Sequence, residues 1–437
     1  MDTTVNPAVL NVFPPATAVN AAGRLVIGGC DTLEIAREFG TPVYVFDEAA
    51  MRARCREFLA EFRARAPETA VLYACKAFTS LAMFRLVAEE GLGLDVVSGG
   101  EIECARAAGF PMDRISFAGN NKSAAELELA ITAGIGTIVV DNVVELAMLR
   151  EMARGRHVNI LLRLTPGVDP NTHHYNTTGT ADSKFGIPRP RWDRAVRAAV
   201  EAAELDLLGL HFHLGSGLYD ATPYQEAIGV VMDYAAEARS LGLEVRTLSV
   251  GGGFAARYHL DEEPPSLAAY AAAIADALET VCARHGLPRP ALIVEPGRSI
   301  VARYGVALYT IGVIKDVPGV RTYVNVDGGM GDNIRYPLYG YVQEAVIADR
   351  PAAPGTVTAR VTGRYCESGD ILIPEISLPE PRPGDILAVA GSGAYAVPMA
   401  SNYNGNFRPA VVFVRDGRAR LVRRRETIED LTARDVQ

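Results

Sequence analysis

Lysine is scarce in this chain of 437 residues: Lys76, Lys122, Lys184 and Lys315 are the only four among 43 basic side chains. An amine can lose its proton and attack a carbonyl, whereas a guanidinium cannot, so each lysine is a candidate nucleophile. Lys76 closes the run Tyr73-Ala74-Cys75-Lys76, and Asp95, Gly119-Asn120-Asn121-Lys122 and Arg163 follow. Further on come His211-Phe212-His213-Leu214-Gly215-Ser216-Gly217, Gly251-Gly252-Gly253-Phe254 and Glu295-Pro296-Gly297-Arg298. Each has a structural explanation when taken singly. Three glycines make a tight turn, Lys76 can serve an ion pair, and His213 can be a satisfied core histidine. Arg163 can brace a core, and Glu295 can sit in a salt-bridged turn. Taken together they suit one cofactor. A lysine meets an aldehyde, bare amides and a hydroxyl such as Ser216 meet a phosphate, and a carboxylate meets a ring nitrogen. Those are the requirements of pyridoxal phosphate. An acid such as Glu295 keeps the ring nitrogen protonated and the ring a strong electron sink, which decarboxylation requires.

The elements that position these residues have a regular beat. Short apolar or β-branched runs occur at Val71–Ala74, Gly93–Val97, Ile115–Ala118, Thr137–Asp141, Val158–Leu164, Leu207–His213, Arg246–Val250 and Leu292–Glu295. Helical stretches rich in Ala, Glu, Leu and Arg lie between them, such as Ser80–Glu90, Ser123–Ala133 and Val143–Arg154. Eight strand–helix units predict an α/β fold, a (β/α)8 TIM-type barrel, with an open doubly wound sheet as the alternative. In a barrel, the polar residues above fall at the C-terminal strand ends, where the chemistry of that fold sits. Beyond residue 305, Val306–Ile314, Arg321–Val326, Thr356–Val361, Asp385–Val389 and Ala410–Arg415 read as strands joined by turns. Asp416-Gly417 is a hairpin signal. The division expected is therefore a cofactor-binding barrel over 46–305 and an all-β sandwich or barrel domain built from 1–45 and 306–437. In the N-terminal piece, the strand-like Arg24–Ile27 could close the β sheet.

Composition narrows the class. A formal charge of −9 speaks against nucleic acid as a partner, and the one dense basic run, Arg423 to Arg425, reads as a solvated strand end. No apolar run approaches the ~20 residues that span a bilayer, and no secretion signal follows Met1. Six cysteines (Cys30, Cys55, Cys75, Cys104, Cys282, Cys366) are scattered without CxxC pairs or histidines at metal-ligand spacing. A reduced cytoplasmic enzyme with no metal and no disulfides is expected.

The motifs also carry a resemblance. Tyr-Ala-Cys-Lys-Ala-Phe (73–78), Asp-Val-Val-Ser-Gly-Gly-Glu (95–101), Ser-Lys-Phe-Gly (183–186), His-Leu-Gly-Ser (213–216), Gly-Gly-Gly-Phe (251–254) and Glu-Pro-Gly-Arg (295–298) occur in order. Val-Asp-Gly-Gly-Met (326–330), Asp-Asn-Ile-Arg (332–335), Cys-Glu-Ser-Gly-Asp (366–370), Gly-Ala-Tyr (393–395) and Asn-Tyr-Asn (402–404) follow. With them the chain resembles the alanine-racemase-like, fold-type III pyridoxal-phosphate decarboxylases over nearly its whole length, and within that class the diaminopimelate decarboxylases. The resemblance implies that Lys76 bonds covalently to the cofactor, His213 stacks on its ring, Glu295 holds the ring nitrogen, and Asp95 and Arg163 line the site. It gives the phosphate to Ser216, Gly251, Gly252, Gly253, Gly297 and Tyr395. It gives the substrate to Arg298, Arg335, Tyr339 and Tyr395, with Arg298 also bordering the cofactor. Cys366, as proton donor, and Glu367, on the distal amino group, would come from the partner subunit of a homodimer with shared sites. The implied reaction is decarboxylation of meso-2,6-diaminopimelate to L-lysine, the last step of bacterial lysine synthesis. Relatives act on ornithine, arginine, carboxynorspermidine or carrier-bound amino acids. A racemase of the same fold and a non-catalytic homologue are further alternatives, though Glu295 with Cys366-Glu367 speaks against the first and the presence of Lys76 and Cys366 against the second. Two positions depart from the family pattern: Tyr336-Pro337 moves a proline by one residue, and Ala396 replaces a glycine.

Overall fold

The computed structural model describes residues 11–169, 178–180 and 182–436. Two compact units divide it. One holds Arg54–Ala255 and Pro264–Gly297; the other holds the chain up to Ala53, the segment Ala256–Glu263, and Arg298 onward.

In the first unit eight parallel strands close into a barrel. They are β1 (Thr69–Ala74), β2 (Gly93–Val96), β3 (Ile115–Phe117), β4 (Thr137–Val140), β5 (Val158–Arg163), β6 (Leu205–His211), β7 (Thr247–Ser249) and β8 (Ala291–Val294). β8 pairs with β1 through Val294 and Val71, which closes the barrel and excludes the open sheet. Apolar strands buried on both faces suit an all-parallel sheet. Where a strand ends, a short polar residue starts the next helix. Ser80 caps Leu81–Glu89, Ser98 caps Gly99–Ala108, and Asn142 caps Val143–Met152, each accepting backbone N–H bonds from the first turn. Ser123 and Glu126 form a reciprocal capping box at Ala124–Ala133. These caps turn each chain crossing immediately after the strand end, so the terminal strand residues and the loops that follow carry the site.

The second unit is built on a nine-stranded sheet. Its centre is Val43–Asp47, antiparallel to Gly305–Val317 and parallel to Ala410–Arg415. Val43, Val45, Val306, Leu308, Val412 and Val414 share its buried core. The N-terminal segment therefore does enter this sheet, but through Val43–Asp47. Leu25–Ile27 instead pairs within a small three-stranded sheet with Ala18–Val19 and Cys30–Asp31. The hairpin at 416–417 is present: Asp416 and Gly417 both have positive φ, 52° and 74°, as a two-residue turn with the twist of its strands requires. Ile371–Leu378 escapes the sequence reading because Pro374 interrupts its pattern; it is an edge strand, where a missing N–H is tolerated.

Asp332 lies fully enclosed in this unit. Tyr309 donates to its carboxylate at 2.6 Å and the Gly329 amide at 2.8 Å, while the Tyr44 hydroxyl donates to its backbone carbonyl at 2.7 Å. Burial pushes the carboxyl up to about 7 from an ordinary 3.8. From about pH 4 to 7 the unfolded chain has released a proton that the folded chain retains, so this group's contribution to stability falls as pH rises. Asp332→Asn should therefore flatten the decline of Tm across that window; an unchanged slope would exclude the group as its source.

Candidate active site

At the C-terminal ends of the barrel strands the structure collects the polar residues of the first unit. Lys76 follows β1 in a single 3-10 turn, Cys75–Ala77, and is exposed. Asp95 lies on β2 and Arg163 ends β5. His211 ends β6, in register with Arg163 on one side and Ser249 on the other. Glu295 follows β8 and is 5% exposed. Ser249 Oγ donates to its carboxylate at 2.7 Å, and His211 Nε2 lies 3.2 Å away. Burial opposes the charge of Glu295, but His211, Ser249 and Lys76 outweigh it and hold the carboxyl below its ordinary range. Asp95 goes the other way. Burial and the charge of Glu295 raise it well above the ordinary value, against the pull of Lys76. One carboxylate is thus kept ionised and its neighbour is pushed toward the neutral acid.

The loop after β7 is shaped by close approaches. A Cβ on Gly251 would lie 2.7 Å from His213 Nδ1, one on Gly252 2.3 Å from the Glu295 carbonyl, and one on Gly253 2.5 Å from Leu218. Gly251 and Gly253 also have φ of 69° and 117°, which side chains resist. His213 Nδ1 accepts the Gly252 amide at 3.0 Å, leaving Nε2 to carry the proton. Burial, then Lys76 and Arg163, push its pKa well down, so the imidazole is neutral. Ser216 is half-buried in the loop after β6, and Gly297 packs on Ala74 and Ala77. These residues fit pyridoxal phosphate on structural grounds. A glycine cradle lies beside a hydroxyl, an ionised buried carboxylate and a neutral imidazole are at hand, and Asp95 Oδ1 has no hydrogen-bond partner among the described residues.

Lys122 is not a second nucleophile. All three of its donors are used, on Gly119 O (2.8 Å), Val139 O (2.7 Å) and Glu145 (2.7 Å). Lys184 lies with its ammonium 4.9 Å from the Phe185 ring, and Lys315 is on the strand Gly305–Val317.

In the second unit two arginines share a cage of tyrosines. Arg298 is 4% exposed and Arg335 2%. Arg298 donates to Tyr258 Oη at 2.8 Å and stacks near Tyr341 and Tyr395, at 5.1 and 5.0 Å. Arg335 faces Tyr339, Tyr341 and Tyr395 at 4.6, 4.7 and 5.2 Å. Its Nε and one terminal nitrogen are buried with no hydrogen-bond partner among the described residues. Burial, and the like charge of Arg298, weigh on Arg335, and the tyrosines offset them only in part. Two buried cations side by side, one of them with donors to spare, call for an anion. Tyr395 itself has φ of 63°, a strained setting for a non-glycine residue. The two departures from the family pattern are accommodated locally. Pro337 lies in the first turn of the short helix Arg335–Tyr339, where its absent N–H costs little, and Ala396 is fully buried at φ −75°.

Cys366 and Glu367 lie elsewhere in this unit, both exposed on the turn before Ile371–Leu378. The Cys366 amide donates to Asn404 at 2.9 Å, and Asp370 ties the turn down through the amides of Met330 and Tyr365.

Four contributors escaped the sequence reading as site residues: His211 and Ser249, which hold Glu295, and Tyr258 and Tyr341, which hold the arginines. The first two were detectable, since both are polar at C-terminal barrel-strand ends. The tyrosines had no such signal, because Tyr258 comes from a short segment inserted between barrel elements.

Comparison with known proteins agrees with this geometry. Residues 48–302 match the pyridoxal binding domain of the pyridoxal-dependent decarboxylases. The chain is 46% identical to a diaminopimelate decarboxylase of Bacillus subtilis over 422 residues, 95% of this chain and 96% of that one. It is 41% identical to that of Mycobacterium tuberculosis over 441 residues, covering 98% of each. A crystal structure of diaminopimelate decarboxylase from M. jannaschii in complex with L-lysine superposes with a TM-score of 0.90 at 33% identity, covering 97% of this chain and 98% of the other. On its barrel, its glycine cradle and these likenesses, the chain belongs to the diaminopimelate decarboxylase family of pyridoxal-dependent decarboxylases.

Proposed function

We propose that this protein decarboxylates meso-2,6-diaminopimelate, releasing carbon dioxide and L-lysine. The observation that carries the reading is Arg335, buried among tyrosines beside Arg298 with its Nε and one terminal nitrogen unpaired among the described residues. The substrate has two carboxylates, of which one leaves; the other needs cationic anchors, and a guanidinium fork matches a carboxylate in two bonds. Ornithine or arginine has no second carboxylate, so a decarboxylase of simple basic amino acids has no use for this pair.

Bound pyridoxal phosphate supplies the electron sink for the pair of electrons left when carbon dioxide departs. Lys76 would attach the cofactor, and the ionised Glu295 would keep a proton on its ring nitrogen. Neutral His213, with Asp95 and Arg163, would hold the ring. The amides of Gly251, Gly252, Gly253 and Gly297, with Ser216 and Tyr395, would take the phosphate. Arg298, Arg335, Tyr339 and Tyr395 hold the retained carboxylate. Cys366 and Glu367 act across a homodimer: the partner's thiol returns a proton to the carbon that lost carbon dioxide, and its carboxylate pairs with the distal ammonium. The exposure of both residues in the single chain supports that role, as does the capacity of a thiol to donate a proton. The reaction belongs in the cytoplasm; six free cysteines support a reducing compartment, and no helix among the described residues is long and apolar enough to cross a membrane.

The test is lysine release by purified protein loaded with pyridoxal phosphate, with meso-diaminopimelate, ornithine and arginine compared. Lysine from the first and no product from the others is expected. Arg335→Met should raise KM for meso-diaminopimelate on the order of 100-fold with a smaller change in kcat. A protein that binds cofactor but decarboxylates only simple basic amino acids would overturn the reading.

A further inference from the structure

The Ser183–Gly186 motif, and the buried charges Lys122, Glu145 and Asp141, have no part in the chemistry described so far. They converge on one side chain. We propose that Asp141 and Phe185 are positioning residues that fix the guanidinium of Arg163 for cofactor binding, and that this is the task of the Ser-Lys-Phe-Gly motif.

Arg163 is 6% exposed at the end of β5, so its charge and its plane must both be set by protein groups. Asp141, just past the end of β4, pairs with one terminal nitrogen at 3.4 Å. The ring of Phe185 lies against the guanidinium at 4.6 Å, a cation–π contact. An ion pair at one edge, without a hydrogen bond to Asp141 Oδ1, and an aromatic ring against the group restrict its freedom to swing. The remaining edges are left for the site, where the charges of Glu295 and Asp95 also act on Arg163.

The clamp is itself anchored. The other oxygen of Asp141 accepts the Gly186 amide at 3.0 Å, which brings the motif to the end of β4. Thr165 Oγ1 donates to the Phe185 carbonyl at 2.8 Å, and the Ile187 amide donates to Arg163 O at 2.8 Å. Behind Asp141, its amide donates to Glu145 at 3.0 Å, and Glu145 pairs with Lys122 at 2.7 Å. Lys122, Glu145, Asp141 and Arg163 thus form a buried row of two cations and two anions. Such a row is costly to break at one member, because the others are left unbalanced. Lysine suits the far end, where three separate acceptors surround a point charge. Arginine suits the near end, where a flat group must be held in one plane.

The inference concerns cofactor binding and not the choice of substrate. Its test is the dissociation constant for pyridoxal phosphate and the circular dichroism of the bound cofactor, with Tm as control. Asp141→Asn should weaken cofactor binding about tenfold and reduce the dichroism. Phe185→Leu should weaken it several-fold, and Phe185→Tyr, which keeps an aromatic face, should restore both readings. Affinity and dichroism unchanged in Asp141→Asn and Phe185→Leu, with only Tm lowered, would reduce the row to a structural device and overturn the proposal. Should Asp141→Asn fail to fold, the Phe185 pair decides: equal impairment by Leu and Tyr counts against the clamp, and rescue by Tyr supports it.

Discussion

Lys76→Ala is expected to abolish lysine formation, lowering kcat on the order of 10⁴-fold or more, while the protein stays folded. The side chain is exposed, so its removal opens no cavity. The turn that carries it is held without it: Ala74 donates to Pro296 O at 3.1 Å and Thr79 Oγ1 to Cys75 O at 2.9 Å. What disappears is the amine proposed to bond the cofactor, together with a positive charge felt by Asp95, Glu101, Glu295 and His213. Lys76→Arg should fail equally, because it restores the charge but not the nucleophile. The absorption spectrum of the cofactor-loaded variants, read beside lysine production, separates loss of covalent attachment from loss of binding. Activity retained by either variant would exclude Lys76 as the attachment point.

The second large effect is expected at Glu295→Gln: a fall in kcat of about 10²–10³ with KM changed little. Glutamine has nearly the same shape and can still accept from Ser249. It lacks the negative charge that His211, Ser249 and Lys76 sustain in spite of burial. Without that charge the ring nitrogen of the bound cofactor would no longer be held protonated, and the sink for electrons would be weakened. The same change removes the neighbour that helps raise Asp95, so the Asp95 carboxyl should move back toward its ordinary range. Kinetics at saturating cofactor are the check. A kcat within threefold of the parent would show that the charge is not needed.

The barrel was legible because its signal is local and repeated. Each strand is a short apolar run, most of the helices start at a Ser or Asn cap, and the polar residues fall at the strand ends. Lys76, Asp95, Arg163, His213 and Glu295 could be picked out from that placement and residue type. The β unit was less legible, because its pairings join segments far apart in sequence. Nothing in Val43–Asp47 announces that its neighbours are Gly305–Val317 and Ala410–Arg415. Arg24–Ile27 has the same apolar character yet pairs nearby, since propensity marks a strand without naming its partner. The arginine cage was half visible: the arginines stand in motifs, whereas Tyr258 and Tyr341 become relevant only through folding. Asp141 ends a strand-like run and Phe185 stands in the Ser-Lys-Phe-Gly motif, but their meeting at Arg163 becomes visible only through folding.

The central place of Val43–Asp47 in its sheet also sets a timetable. During synthesis this strand leaves the ribosome long before either neighbour exists, and more than 350 residues separate it from Ala410–Arg415. The barrel strands, each followed closely by its helix, can pair as they emerge. One edge can pair once Gly305–Val317 emerges, but the other must wait for nearly the whole chain, and until then an apolar strand with an unsatisfied edge remains open to pairing with another nascent copy. A message truncated before residue 410 would therefore yield not a smaller enzyme but a barrel trailing a sticky strand, a substrate for chaperones and proteases rather than for amino-acid chemistry.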